Sequence, residues 1–241
     1  VASDPSNPVE GQVWYNTTSN TVKANYINPG SWATGGSLNT ARSALAGAGT
    51  QTAALAFGGS PPVVAITESY NGTSWTEVND MNTARYRLAG VGTQTAALVF
   101  GGFIPPSTAA TETWNGTNWA EVNDLNTARF QLAGCGTQTA ALGFGGYSGP
   151  ITANTETWNG TNWTEVNNLN TARQGLAGAG TNTAALAFGG TPAPTGNTES
   201  WNGTNWTEVG DLGTERYTLA GAGINTSALA FGGSGPTAAT E

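Results

Sequence analysis

Charged side chains that recur at a regular interval are the first candidates for chemistry in this chain of 241 residues. Five of its seven basic residues are arginines spaced 43 or 44 residues apart, namely Arg42, Arg85, Arg129, Arg173 and Arg216. Five glutamates recur in step with them, namely Glu68, Glu112, Glu156, Glu199 and Glu241. One interpretation is a ring of charges that binds a ligand. We favour the other, a repeated Arg–carboxylate or Arg–carbonyl hydrogen bond between neighbouring repeats, because the planar guanidinium suits such anchoring.

A second group of candidates lies where the repeats differ most. One variable zone directly follows the recurring arginine, and the other follows a recurring Phe-Gly-Gly. The candidate ligand-binding residues in these zones are Tyr86, Arg87, Phe103, Phe130, Gln131, Tyr147, Gln174 and Tyr217. Aromatic rings interleaved with hydroxyl, amide and guanidinium groups are typical of a sugar-binding surface, where rings stack and polar groups donate or accept hydrogen bonds. The alternative is that these loops vary freely and their aromatic residues only shield the rim.

Enzymatic chemistry has little support in the residue types. The chain has no histidine, which excludes histidine-based triads and histidine-ligated metals. Its single cysteine, Cys135, stands where other repeats have Ala or Val, which predicts a small buried residue. Hydrolysis by carboxylates alone stays open, but almost all acidic residues occupy repeated positions and no unique acid pair is visible. We therefore expect no enzymatic activity, no metal and no cofactor.

An internal repeat positions all of these residues. Phe-Gly-Gly ends at Gly59, Gly102, Gly146, Gly190 and Gly233, at steps of 43, 44, 44 and 43 residues. A period of this length that contains four short strands is the signature of a β-propeller blade. The first strand is predicted in Leu-Ala-Gly-x-Gly, the second before Phe-Gly-Gly, the third in Thr-Glu-Thr-Trp and the fourth after the next Trp. In such a blade both variable zones emerge at the same end, where loops on a rigid scaffold commonly carry function.

Asn-Gly recurs between the third and fourth predicted strands, at Asn71, Asn115, Asn159 and Asn202. This dipeptide predicts a tight hairpin in which both turn residues have positive φ.

The ends of the chain complement each other. The repeat begins part-way through at residue 26, with Trp32 in the position of Trp119, and residues 237–241 supply the start of the third strand of the last repeat. We therefore predict an all-β fold, a five-bladed propeller of four-stranded antiparallel blades over residues 26–241. Its ring would close between the N- and C-terminal segments, which removes a free sheet edge. Residues 1–25 form an N-terminal extension with a strand–turn–strand segment, and because residue 1 is Val we expect a processed or excised piece.

Two resemblances add to this interpretation. Residues 11–23, GQVWYNTTSNTVK, resemble segments of tail-fibre and other virion appendage proteins of bacteriophages. The repeats over residues 26–241 resemble the kelch motif, with hydrophobic residues before a Gly pair, an acidic-aromatic strand and then Trp. They depart from it because the two aromatics are five positions apart around a short NGTN turn, so kelch-like is the fitting term.

Charge narrows the range of partners. The net charge of −8 and the pI near 4.4 argue against binding to nucleic acid or anionic membranes, and no apolar run approaches the ~20 residues of a membrane span. The resemblances imply the receptor- or glycan-binding head of a phage tail fibre or similar virion appendage, joined to other virion proteins through its N-terminal extension. The expected location is the virion or extracellular space, or alternatively a secreted or bacterial cell-surface protein. The alternative function is a structural or protein-docking propeller without glycan binding.

Overall fold

The computed structural model describes residues 13–19, 21–24, 33–234 and 240–241. The chain divides into two compact units, Val1–Gly35 and Gly36–Glu241. All regular structure in the described ranges is β-strand, and these ranges contain no helix able to cross a membrane. The predicted boundary after residue 25 falls among residues outside the described ranges and stays a prediction.

The first unit contains a short hairpin where the sequence predicts strand, turn, strand. Strands β1 (Val13–Asn16) and β2 (Thr21–Ala24) pair antiparallel. The Asn16 side-chain oxygen accepts hydrogen bonds from the N–H groups of Thr18 at 2.9 Å and Ser19 at 3.0 Å. An asparagine side chain that accepts hydrogen bonds from backbone N–H groups two or three residues later mimics a backbone turn. Asn16 therefore helps to reverse the chain between the two strands.

The second unit contains four four-stranded antiparallel sheets, in each of which strands adjacent in sequence are adjacent in space. The first sheet consists of β3 (Ala46–Thr50), β4 (Ala53–Phe57), β5 (Thr67–Tyr70) and β6 (Trp75–Val78). The second consists of β7 (Ala89–Gly92), β8 (Ala97–Phe100), β9 (Thr111–Trp114) and β10 (Trp119–Val122). The third consists of β11 (Ala133–Thr137), β12 (Ala140–Phe144), β13 (Thr155–Trp158) and β14 (Trp163–Val166). The fourth consists of β15 (Ala177–Gly180), β16 (Ala185–Phe188), β17 (Thr198–Trp201) and β18 (Trp206–Glu208).

A fifth, two-stranded sheet consists of β19 (Ala220–Ile224) and β20 (Ser227–Phe231). The C-terminal residue pairs with β20, since Ala230 N–H donates to the Glu241 carbonyl at 2.7 Å and Glu241 N–H donates back at 3.0 Å. Glu241 thus faces Ala230 as Glu112 faces Val99 in the second sheet. The all-β prediction and the repeated four-stranded sheets are confirmed, whereas the predicted fourth strand around Trp32 lies outside the described residues.

The hydrophobic core lies between successive sheets. Trp119 of the second sheet meets Phe57 of the first edge to face, with ring centroids 5.1 Å apart, and its indole N–H donates to the Thr67 hydroxyl at 3.0 Å. The same pairing recurs one and two sheets further on, between Phe100 and Trp163 and between Phe144 and Trp206. Each sheet therefore buries its apolar face only when the next sheet is present, as repeat architectures require.

The first strand of each sheet is rich in glycine because the preceding sheet comes very close to it. A Cβ built on Gly134 would lie 2.5 Å from Cζ of Phe100, whose ring is fully buried. The same 2.5 Å approach joins Gly90 to Phe57, Gly178 to Phe144 and Gly221 to Phe188. At these positions glycine makes room for a neighbouring ring.

The Asn-Gly turns differ from the prediction. Gly116 has φ of 91°, but Asn115 is not among the described residues with positive φ. The loop between Trp114 and Trp119 has four residues, and the Asn115 side-chain oxygen accepts hydrogen bonds from the N–H groups of Thr117 at 2.9 Å and Asn118 at 2.8 Å. The prediction of positive φ at both Asn and Gly was wrong, because the asparagine acts through its side chain and only the glycine takes the left-handed conformation.

Replacing Gly134 with alanine should destabilise the protein by roughly 1–3 kcal/mol, because the new methyl group overpacks against Phe100. Urea unfolding measures this loss. The matched control is Gly210→Ala, since no described residue lies within 4 Å of a Cβ built on Gly210, and this variant should unfold like the parent. Equal stability of the two variants would contradict the close packing described here.

Candidate functional site

The recurring arginines and glutamates form ion pairs, but each pair lies within one sheet and not between neighbouring sheets, because the arginine precedes the first strand and the glutamate lies on the third strand of the same sheet. Arg129 lies 3.0 Å from Glu156, Arg173 lies 2.9 Å from Glu199 and Arg85 lies 3.1 Å from Glu112, all without solvent exposure. The same pairing joins Arg42 to Glu68 and Arg216 to Glu241.

Each carboxylate also binds the segment that leads to its arginine. In the third repeat, the backbone N–H and side-chain amide of Asn126 donate to the second Glu156 oxygen at 2.7 and 2.8 Å. The carbonyl of Arg129 meanwhile accepts a hydrogen bond from Gly102 N–H of the preceding sheet at 2.9 Å. One arginine thus binds the preceding sheet through its backbone and its own sheet through its side chain.

Burial and hydrogen bonding act in opposite directions on these groups. Burial of the Glu68 carboxylate raises its pKa, but the Asn39 N–H, the Arg42 guanidinium and the Thr40 N–H together outweigh burial, so its pKa is lowered from the usual 4.5. Burial lowers the pKa of Arg129, and the nearby charge of Glu156 opposes that shift. Glu68 therefore stabilises the fold in its ionised form.

Glu68→Gln should cost roughly 3–5 kcal/mol at pH 7, since it leaves the buried Arg42 guanidinium without its counter-charge. The control is Glu77→Gln, because Glu77 faces Glu68 across the sheet but is exposed to solvent.

The loss of unfolding free energy caused by Glu68→Gln should be larger at neutral pH than at acidic pH. A lowered folded-state pKa means that ionised Glu68 contributes fully above the unfolded-state pKa of about 4.5 and loses its contribution as the pH falls through the lower folded-state pKa. Urea unfolding should therefore show a larger difference between parent and Glu68→Gln at pH 7 than at pH 3. A difference independent of pH would contradict this role.

Backbone hydrogen bonds bring the two variable zones together. Tyr86 and Phe103 exchange N–H···O bonds of 3.3 and 2.8 Å, and Phe130 and Tyr147 exchange bonds of 3.1 and 2.9 Å. Gln174 pairs with Thr191 in the same way, and Tyr217 accepts a bond from Ser234 N–H at 2.8 Å. Residues that directly follow the arginines thus lie beside residues that directly follow Phe-Gly-Gly.

Four half-buried rings form a continuous line, which we call the aromatic row: Tyr86, Phe103, Phe130 and Tyr147. Successive ring centroids are 5.6, 4.8 and 5.4 Å apart. The Arg87 guanidinium carbon lies 5.6 Å from the Tyr86 ring centre and 6.0 Å from that of Phe130. Five of the eight predicted ligand-binding residues are thus in contact with one another.

The other three predicted residues have different surroundings. Gln174 and Tyr217 occupy the equivalent positions of the fourth and fifth repeats, where no ring contact within the described part of the chain links them to the aromatic row. Gln131 follows Phe130 and joins a second feature, a series of left-handed residues.

The second residue after each recurring arginine has a left-handed backbone. Their φ values lie between 53° and 62°, at Ala44, Arg87, Gln131, Gly175 and Thr218. The N–H of each donates to the carbonyl of the one before, at 2.7 Å for Arg87, 2.9 Å for Gln131, 2.8 Å for Gly175 and 2.6 Å for Thr218. Four backbone bonds therefore tie these five positions into one rigid series.

These five residues line a cavity of about 520 Å³, which we call the five-repeat cavity. Five leucines complete much of its wall: Leu45, Leu88, Leu132, Leu176 and Leu219. Its size is in the usual range for small-ligand sites, and apolar walls with a few polar groups are typical of them. Sequence reasoning missed Ala44, Thr218 and the leucines, although their place in the repeat relative to Arg87 could have revealed them.

A second cavity, of about 210 Å³, is lined by the glycine- and alanine-rich first strands of all five sheets and by Cys135. Burial raises the pKa of the Cys135 thiol to about 12, and its Sγ donates to the Thr181 carbonyl at 3.4 Å. The thiol is therefore protonated and unreactive at neutral pH. In the described ranges, no group of three His, Cys, Asp or Glu residues could hold a metal ion.

No protein-family model matches this chain, and no curated protein matches it. The aromatic row and the five-repeat cavity are the features from which a function can be inferred.

Proposed function

We propose that this protein is a non-catalytic binding module whose aromatic row and adjacent five-repeat cavity bind a cell-surface glycan. The observation that carries the proposal is the continuous line of four half-buried rings, joined by Arg87 to a cavity of about 520 Å³. Aromatic faces stack on sugar rings, and the guanidinium, amide and hydroxyl groups of Arg87, Gln131 and Thr218 can bond sugar hydroxyls.

The acidic residues support a role without catalysis. The recurring glutamates are bound by arginine guanidinium groups and by backbone or asparagine N–H groups, as Glu156 is by Arg129 and Asn126. A glycoside hydrolase needs two carboxyl groups about 5–10 Å apart that are free to exchange protons with a substrate. No carboxylate is among the described residues that line the five-repeat cavity.

The likeness of residues 11–23 to phage appendage segments suggests where such a module works. We propose that the chain is the receptor-binding head of a phage tail fibre or similar virion appendage. The β1–β2 hairpin lies in this segment, and the proposal assigns contact with other virion proteins to the N-terminal extension.

We further propose that the five repeats form a closed, five-bladed, kelch-like propeller. The first strands of successive sheets contact one another in the order β3, β7, β11, β15, β19. The Phe–Trp contact occurs three times between successive sheets, as Phe57–Trp119, Phe100–Trp163 and Phe144–Trp206.

A small apolar cavity lies between the fourth and fifth sheets, at the place in the series where the next Phe–Trp contact would fall. It has a volume of about 160 Å³, and its lining includes Phe188, Thr198 and Ala228. These residues are equivalent to Phe57, Thr67 and Ala97, which belong to the surroundings of Trp119 in the second repeat.

Trp32→Ala should then lower the free energy of unfolding by roughly 3–5 kcal/mol, as expected for removing a buried aromatic ring. Trp14→Ala, which lies outside the predicted repeat of residues 26–241, is the control and should leave the unfolding of the second unit unchanged. Guanidinium unfolding followed by circular dichroism compares the two variants. Equal stability of both variants would rule out ring closure through Trp32.

The glycan proposal is tested by screening the purified chain on a glycan array beside the variant Tyr86→Ala/Phe130→Ala/Tyr217→Ala. The parent should bind, and the folded triple variant should lose at least about ten-fold in affinity, because stacked rings contribute much of the binding energy.

The control carries three alanines in the Asn-Gly turns, Thr73→Ala/Thr117→Ala/Thr161→Ala, and should bind like the parent. If the aromatic triple variant still binds, the glycan site does not include the aromatic row. No binding by the parent would favour a protein-docking propeller.

A further inference from the structure

Arg87 differs from the other arginines of the chain. The five recurring arginines are each paired with a glutamate, whereas Arg87 has no carboxylate within ion-pair distance in the described part of the chain. Its side chain is exposed and lines the five-repeat cavity. The chain has a net charge of −8, which repels anions in general. A positive charge without a carboxylate partner beside a cavity therefore favours the binding of an anionic ligand at that place.

The backbone at this position is costly for a residue with a side chain. Arg87 has φ of 55°, and the equivalent position of the fourth repeat is occupied by Gly175. Glycine would relieve the left-handed strain, which costs of order 1 kcal/mol for other residues. Strained positions that keep a large side chain are common at ligand-binding sites.

Two aromatic rings and two backbone hydrogen bonds surround Arg87. It lies against the Tyr86 and Phe130 rings, and its backbone is tied on both sides, by its own N–H to Ala44 and by its carbonyl to Gln131. When a guanidinium lies over aromatic rings, the N–H groups at its edge stay available to donate two hydrogen bonds to one carboxylate.

We propose that the five-repeat cavity selects acidic sugars, with Arg87 binding the carboxylate of a uronic or sialic acid residue. This inference rests on the proposed glycan binding and specifies its ligand class. Arg87 donates two parallel N–H···O bonds to the sugar carboxylate, while Gln131 and Thr218 lie in the same cavity and can bond the hydroxyls. The carboxylate site lies at one repeat only, because the residues equivalent to Arg87 in the other repeats carry no charge. They are Ala44, Gln131, Gly175 and Thr218.

Two acidic oligosaccharides test the inference, a hyaluronan hexasaccharide and an oligosialic acid, each compared with the same compound after reduction of its carboxylates to alcohols. The parent should bind the acidic forms about ten- to a hundred-fold more tightly than the reduced forms. Arg87→Gln should lose that preference. Arg87→Lys should keep part of it, because lysine retains the positive charge but cannot donate two parallel hydrogen bonds to one carboxylate. Unchanged melting temperatures would show that all variants stay folded.

A second measurement separates this inference from glycan binding in general. Sodium glucuronate and glucose are titrated into the labelled parent and Arg87→Gln, and the side-chain N–H signals of Arg87 and Gln131 are followed by NMR. Glucuronate should shift these signals in the parent, and glucose should not.

Equal binding of acidic and reduced oligosaccharides, or a preference that survives in Arg87→Gln, overturns the inference and leaves glycan binding standing. A response to glucuronate without binding of any array glycan keeps the anion site and overturns the glycan function. No response in either measurement overturns both.

Discussion

The buried ion pair between the recurring arginine and glutamate is the constraint on which the rest of the fold depends. A guanidinium without exposure needs a counter-charge, and in the third repeat the pair of Arg129 with Glu156 holds the segment before the first strand to the third strand of the same sheet. Because the carbonyl of the same arginine bonds the preceding sheet, the pair also fixes the spacing between sheets. Phe100 and Gly134 then meet at a distance that tolerates no side chain on the glycine.

This framework determines where variation is possible. The residues just after each arginine project beyond the buried pair, yet their backbones are held by hydrogen bonds to the neighbouring repeat. Their side chains can change without loss of the ion pair or of the core between sheets. In the second and third repeats, the variable positions hold Tyr86, Arg87 and Phe130, whose side chains lie together. The repeated scaffold therefore carries one surface that differs from repeat to repeat.

Much of the fold follows from local patterns in the chain. Strict spacing of Phe-Gly-Gly and Thr-Glu-Thr-Trp predicts the strands, their order and their antiparallel pairing, because each repeat contains one complete sheet. The turn prediction failed at Asn115, since a dipeptide pattern does not show whether the asparagine acts through its backbone or its side chain. The candidate site was predicted only in part, since Thr218 and the five leucines are ordinary residues in sequence and gain significance only from their position around one cavity.

The sequence by itself determined the all-β class, the period of the repeat and the identity of the paired charges, because these depend on residue types at a constant separation. Only the tertiary structure decided that Tyr86, Phe103, Phe130 and Tyr147 form one row and that Arg87 lies between that row and a cavity. The physical reason is that these contacts cross from one repeat to the next. Their geometry is set by the packing of whole sheets through buried ion pairs and Phe–Trp contacts, which no single stretch of the chain encodes.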